Sequence, residues 1–132
     1  MHSPKKRILC VDDDGDIRDL LEILLGSSDL ETVCVGDVAS ALRLMEAERF
    51  RLYIIDGQLP GVSGLTMCQE IRRRDMETPI VIFSGQAQAA DREAGLRAGA
   101  NVYIVKPETS QLVPAVRRLL EDAEAAAMNA NT

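Results

Sequence analysis

The sequence predicts a doubly wound α/β sandwich, in which a five-stranded parallel sheet is covered by helices on both faces. Two patterns carry that prediction. Short unbroken apolar runs, unlike the in-out alternation of a sheet with one wet face, read as strands buried on both sides. Each run is followed by apolar residues three and four positions apart, the spacing of an amphipathic helix, and the pair recurs five times.

The first strand is Ile8-Leu9-Cys10-Val11, ending abruptly in Asp12-Asp13-Asp14-Gly15, and Ile17, Leu20, Leu21, Leu24 and Leu25 mark a helix that stops near Gly26. Thr32 to Val35 is the second strand, with Val38, Ala41, Leu42 and Met45 as its helical stripe. Leu52-Tyr53-Ile54-Ile55 runs into Asp56 as the third. After the turn residues Leu59-Pro60-Gly61-Val62-Ser63-Gly64, helical spacing resumes at Leu65, Cys68 and Ile71 with Ser63 as a cap. Pro79 to Phe83 is the fourth strand, followed by an alanine-rich helix with a poor stripe from about Ala87 to Ala98. Val102 to Val105 is the fifth, and Leu112, Val116, Leu119, Leu120 and Ala123 mark the last helix.

Length and composition agree with this reading. A chain of 132 residues with 46% hydrophobic and 27% charged residues holds one domain with its own core. Fifteen Lys and Arg against 21 Asp and Glu give a net charge of -6, which argues against nucleic acid or an anionic membrane as the main partner. Cys10, Cys34 and Cys68 are odd in number and set among apolar residues, so they read as free core thiols rather than a disulfide framework or zinc ligands. No stretch approaches the roughly 18 apolar residues of a membrane span, and the charged Met1–Arg7 opening lacks a signal-peptide core, so a cytoplasmic location is expected. Residues 1–127 are expected to form the domain and 128–132 a disordered tail or truncated linker.

The chemistry sits where strands end. In a parallel sheet these ends share one edge, where ligands bind in doubly wound folds. The first strand delivers Asp12 and Asp13, the third Asp56, the fourth Ser84 and the fifth Lys106 before Pro107. Crowded carboxylates repel unless a cation lies among them, and hard oxygen donors suit Mg²⁺. A lysine and a hydroxyl beside such a site suit the oxygens of a phosphoryl group.

These segments, with Gly95 to Ala100 and Tyr103-Ile104-Val105-Lys106-Pro107, resemble the receiver domain of two-component response regulators, over about Lys6 to Glu121. The resemblance implies a flavodoxin-like fold with five helices and strand order 2-1-3-4-5. It implies that Asp56 is the phosphoacceptor, taking a phosphoryl group from a histidine kinase or histidine phosphotransfer protein. It implies that Asp13, Asp56 and the backbone carbonyl of Gln58 hold Mg²⁺, with Asp12 acting through water. Lys106 and Ser84 would each contact a phosphoryl oxygen, and Ser84 and Tyr103 would form the switch. The readout face would comprise the fourth helix, fifth strand and fifth helix, which would also permit a homodimer, while the downstream target or output domain is not legible.

Blander readings stand beside these. Asp14 and Asp16 suit helix capping and the helix dipole, Ser84-Gly85 could be turn chemistry, and Tyr103 could simply cover the sheet edge. The chain also departs from the commonest family pattern. Gly85 loosens the loop after Ser84, Asn101-Val102 replaces an acidic pair, and Glu108 stands where a phenylalanine is usual. Pro114 falls early in the last helix, implying a late or irregular start. Gln58 and Gln86 occupy the positions that in the family steer the hydrolytic water. Two rivals use the same residues differently: a degenerate receiver serving only as an interaction domain, and a Mg²⁺-dependent phosphohydrolase, which would need a second acid where Gln58 stands.

Overall fold

The structure is a computed structural model and describes residues 5–27 and 29–130. Its central sheet contains β1 (Lys6–Val11), β2 (Leu30–Val35), β3 (Leu52–Ile55), β4 (Ile80–Ser84) and β5 (Val102–Val105). All neighbours run parallel, in the spatial order β2-β1-β3-β4-β5. Five helices connect and follow them: α1 (Gly15–Leu25), α2 (Val38–Ala47), α3 (Gly64–Arg74), α4 (Ala89–Ala98) and α5 (Leu112–Ala130). This is the predicted doubly wound sandwich.

The period-two geometry of strands divides the core into two layers. Leu9, Val11, Tyr53, Ile55, Ile82 and Tyr103 face one way and pack with Ala41 of α2 and Met67, Cys68 and Ile71 of α3. Ile8, Cys10, Leu52, Ile54, Val81, Phe83 and Ile104 face the other way and meet Leu21 and Leu25 of α1 and Leu112, Val116 and Leu120 of α5. Because both faces are covered, the strands had to read as continuous apolar runs. The three cysteines are free thiols; Cys10 and Cys68 are buried, whereas Cys34 is only half-buried. Burial pushes the Cys68 thiol up to about 12.

Caps lie where the sequence places them. Asp14 accepts a hydrogen bond from the Asp16 N–H at the start of α1, and Ser63 accepts from the Thr66 N–H at the start of α3. Pro60-Gly61 closes a two-residue turn between the short antiparallel strands Gln58–Leu59 and Val62–Ser63, with Gly61 at φ 73° as this turn requires. A 3₁₀ turn, Thr109–Gln111, precedes α5 and leaves Pro114 in the first turn of the helix, where its missing N–H costs nothing.

Several element boundaries differ from the sequence reading by one or two residues. β1 and β2 begin earlier, at Lys6 and Leu30, because Arg7 and Glu31 pair across the two strands and are kept at the rim of the sheet by their charge. The helix α5 runs to Ala130 through an alanine-rich stretch that favours helix. Residues 131 and 132 and the Met1–Pro4 opening lie outside the described residues.

Arg72 is the clasp of the α3–α4 side. Its guanidinium donates to the carbonyls of Gly99, Asp75 and Thr78 at 2.7–3.1 Å and to Asn101 Oδ1 at 3.0 Å, while that same Oδ1 accepts from the Ile80 N–H. One side chain thus joins the end of α3, the start of β4 and the loop before β5. Arg72→Ala leaves several carbonyls without a donor and is expected to cost about 1–3 kcal/mol. In urea unfolding this reads as a lower midpoint with an unchanged slope.

Candidate functional site

The backbone ladder runs one residue beyond the strands and in doing so fixes the site. The Asp12 N–H donates to Val35 O, the Asp56 N–H to Val11 O and the Lys106 N–H to Ser84 O, at 2.8–3.0 Å. Asp12, Asp56 and Lys106 are therefore held by main-chain bonds at one edge of the sheet. They flank the point where the chain's winding reverses between β1 and β3.

There the side chains converge. Asp12, Asp13 and Asp56 each offer a carboxylate oxygen, and these oxygens lie within 4.8 Å of one another. Asp12 is 2% and Asp56 6% exposed, whereas Asp13 stands at the open mouth. The Lys106 ammonium lies 2.8 Å from Asp12 Oδ2 and 3.4 Å from Asp56 Oδ1. Asp56 Oδ1 also accepts from the Gln58 N–H at 3.2 Å, and Asp12 Oδ1 from the Asp14 N–H at 3.0 Å. The Arg18 guanidinium donates to Asp12 O at 2.8 Å, tying α1 to the same loop.

Burial raises the Asp56 carboxyl above its ordinary range; the Asp12 charge adds to this, and the Gln58 N–H and Lys106 only partly offset it. For Lys106, burial lowers the ammonium's pKa, but its hydrogen bond to Asp12 and the charges of Asp12 and Asp56 outweigh burial and leave it raised. The site thus carries three negative groups against one positive, an imbalance of two charges. Hard carboxylate oxygens with this charge deficit fit a divalent cation such as Mg²⁺.

Ser84 and Tyr103 sit beside this cluster rather than in it. Ser84 is fully buried, and its Oγ accepts from the Gln86 N–H at 3.2 Å. Tyr103 is 7% exposed, and its hydroxyl donates to Gln86 O at 2.7 Å. The Gln86 peptide groups therefore join the two residues expected to act as the switch. The Tyr103 ring lies against α4 where Gly95 leaves room, since a Cβ there would approach the ring to 2.8 Å. A cleft of about 470 Å³ opens along this side, lined among others by Gly57, Gln58, Ser63, Gln86, Asp91 and Tyr103. The Lys106–Pro107 peptide bond is cis.

The structure brings Asp12, Asp13, Asp56 and Lys106 into one pocket and sets Ser84, Gln58 and Tyr103 around it. Sequence reading missed the bridging role of Gln86 and the Arg18 bond to Asp12. An arginine four residues past the Asp14 cap was a visible hint of the latter; a main-chain bridge leaves no trace in residue identity.

The sequence matches the response regulator receiver domain family over residues 8–117, so the chain belongs to that family of signalling domains. The DNA-binding response regulator MtrA of Mycobacterium tuberculosis is 36% identical over 121 residues, covering 91% of this chain and 53% of that protein. The chain spans about half the length of such relatives. Among solved structures, a CheY-like receiver domain protein from Methanospirillum hungatei superposes with a TM-score of 0.85 at 28% identity, covering 92% of this chain and 98% of that one. NtrX from Brucella abortus superposes at 0.88 with 32% identity, covering 96% of this chain and 29% of that one.

Because the folded protein binds a proton at Asp56 more readily than the unfolded chain does, the ionised carboxyl costs stability. That cost is absent below the ordinary carboxylate range and is complete once pH has risen through the elevated folded value. Without divalent ions, Asp56→Asn is expected to melt higher than the wild type at neutral pH, by about 3–6 °C for each kcal/mol regained. The gap should close as pH is lowered toward 4, which parallel thermal melts check.

Proposed function

We propose that this chain is the phosphoacceptor module of a two-component system, with Asp56 as the accepting residue. The observation that carries the reading is the Lys106 ammonium lying between two buried carboxylates, 2.8 Å from Asp12 and 3.4 Å from Asp56. An Asp56 oxygen attacks the phosphorus of a phosphohistidine on a histidine kinase or histidine phosphotransfer protein. A P–O bond forms as the P–N bond breaks, and the imidazole departs with its electron pair and takes up a proton. Lys106 and Ser84 each place a donor on a phosphoryl oxygen, where charge develops during transfer. Asp13, Asp56 and the Gln58 carbonyl would hold Mg²⁺, with Asp12 through water, and the ion would supply neutralisation of phosphoryl charge.

Once Ser84 turns to the phosphoryl group, the Gln86 bridge carries the change to Tyr103 and so to the face formed by α4, β5 and α5. That face is the expected readout and would permit a homodimer. Relatives described as DNA-binding are about twice the matched length, so in such an arrangement this acidic module is the input half and leaves nucleic acid to other segments. It modifies only itself and acts in the cytoplasm; among the described residues no helix is long and apolar enough to cross a membrane.

Incubation with Mg²⁺ and a small acyl phosphate, followed by intact mass, tests this. A single added phosphoryl group, lost in Asp56→Asn, is the expected result. Inertness of the wild type would favour an interaction-only receiver, and unlimited turnover of a phosphate ester would favour a hydrolase.

A further inference from the structure

Gly57, the residue after Asp56, is in unusually tight surroundings. A Cβ built on it would lie 2.3 Å from Ser84 Oγ, 2.7 Å from Ser84 Cβ and 3.1 Å from Gln86 Oε1. Rotating Ser84 about χ1 moves its hydroxyl but leaves its Cβ in place, so a side-chain rotation cannot relieve the contact. The other side is closed as well. Gly64, the first residue of α3, donates its N–H to Gly57 O at 2.9 Å, and a Cβ on Gly64 would lie 2.3 Å from Asp56 O and 2.7 Å from Gly57 Cα. The loop that follows Asp56 is therefore pinned between the start of α3 and the end of β4. Gly57 is not among the glycines with positive φ, which are Gly61 and Gly99. It is needed for space and not for backbone freedom.

On the reading of Asp56 as phosphoacceptor, we infer that Gly57 is a positioning residue that sets how close the Asp56 carboxyl and the Gln58 carbonyl stand to the end of β4. Ser84 is held in the ladder by its pairing with Val105 and by the Lys106 N–H, so a side chain at 57 must drag Asp56 and the Gln58 carbonyl with the loop. Displacements of about 1 Å in such a constellation can cost up to about a hundredfold in rate. The contact is purely steric, so trimming Ser84 to glycine must remove it, whereas Ser84→Ala keeps the Cβ and must not.

A double-mutant cycle at positions 57 and 84 tests this. Phosphorylation of Asp56 by a small acyl phosphate with saturating Mg²⁺ is followed by intact mass, and thermal melts are recorded for the same proteins. Gly57→Ala is expected to slow phosphorylation about tenfold or more in the Ser84 and Ser84→Ala backgrounds. In the Ser84→Gly background it should change the rate less than about twofold and lower the melting temperature little below that of Ser84→Gly alone. Should Gly57→Ala fail to fold, recovery of a folded protein by Ser84→Gly, but not by Ser84→Ala, supports the same contact. An equal rate loss in all three backgrounds, no loss in any, or no recovery of folding by Ser84→Gly overturns the inference. The wild type is assayed first: if it takes up no phosphoryl group, the proposed function itself fails and this positioning role with it, a result distinct from any pattern among the variants.

Discussion

Three carboxylates share one small pocket, and a single ammonium bridges the two buried ones, Asp12 and Asp56. Asp12 and Asp56 are almost shut off from water, and their oxygens lie within 4.8 Å of each other and of Asp13. Like charges at such separations raise carboxyl pKa values and oppose folding unless a counter-charge is present. Lys106 supplies it through a stem half-buried beside Phe83, whose ring centroid is 5.7 Å from the ammonium. The repulsion that remains is stored by the rest of the fold. It is what makes the pocket receptive to a divalent ion.

The sheet makes this arrangement affordable. Asp12, Asp56 and Lys106 each extend the hydrogen-bond ladder one residue past their strand, so the charged tips cannot drift apart without breaking main-chain bonds between neighbouring strands. The apolar layers on both faces in turn lock those strands. Gly57 and Gly64 bring the loop after Asp56 into contact with β4 on one side and α3 on the other, and Gln86 ties Ser84 to Tyr103. Ser84 at the pocket and Tyr103 on the α4–β5 side thus share the main chain of Gln86.

Much of this was legible in the sequence because it was written locally. An apolar run ending in an acid marks both a buried strand and the side chain at its tip, as at Val11-Asp12 and Ile55-Asp56. The caps Asp14 and Ser63 and the early Pro114 likewise act within a turn of their own position. What was not legible depends on partners far along the chain. The start of β1 at Lys6 follows from pairing with β2, and the Arg72 clasp and the Gly57–Ser84 contact each join residues 27 or more apart.

If Lys106 is the resident counter-charge and a divalent ion can take over that task, its loss should matter most when no ion is present. Thermal melts of the wild type and Lys106→Met, in chelator and in excess Mg²⁺, measure this directly. The account predicts that the variant melts well below the wild type in chelator, by the equivalent of about 3 kcal/mol, and that Mg²⁺ closes most of the gap. A gap that Mg²⁺ leaves unchanged, or no gap in chelator, would contradict it.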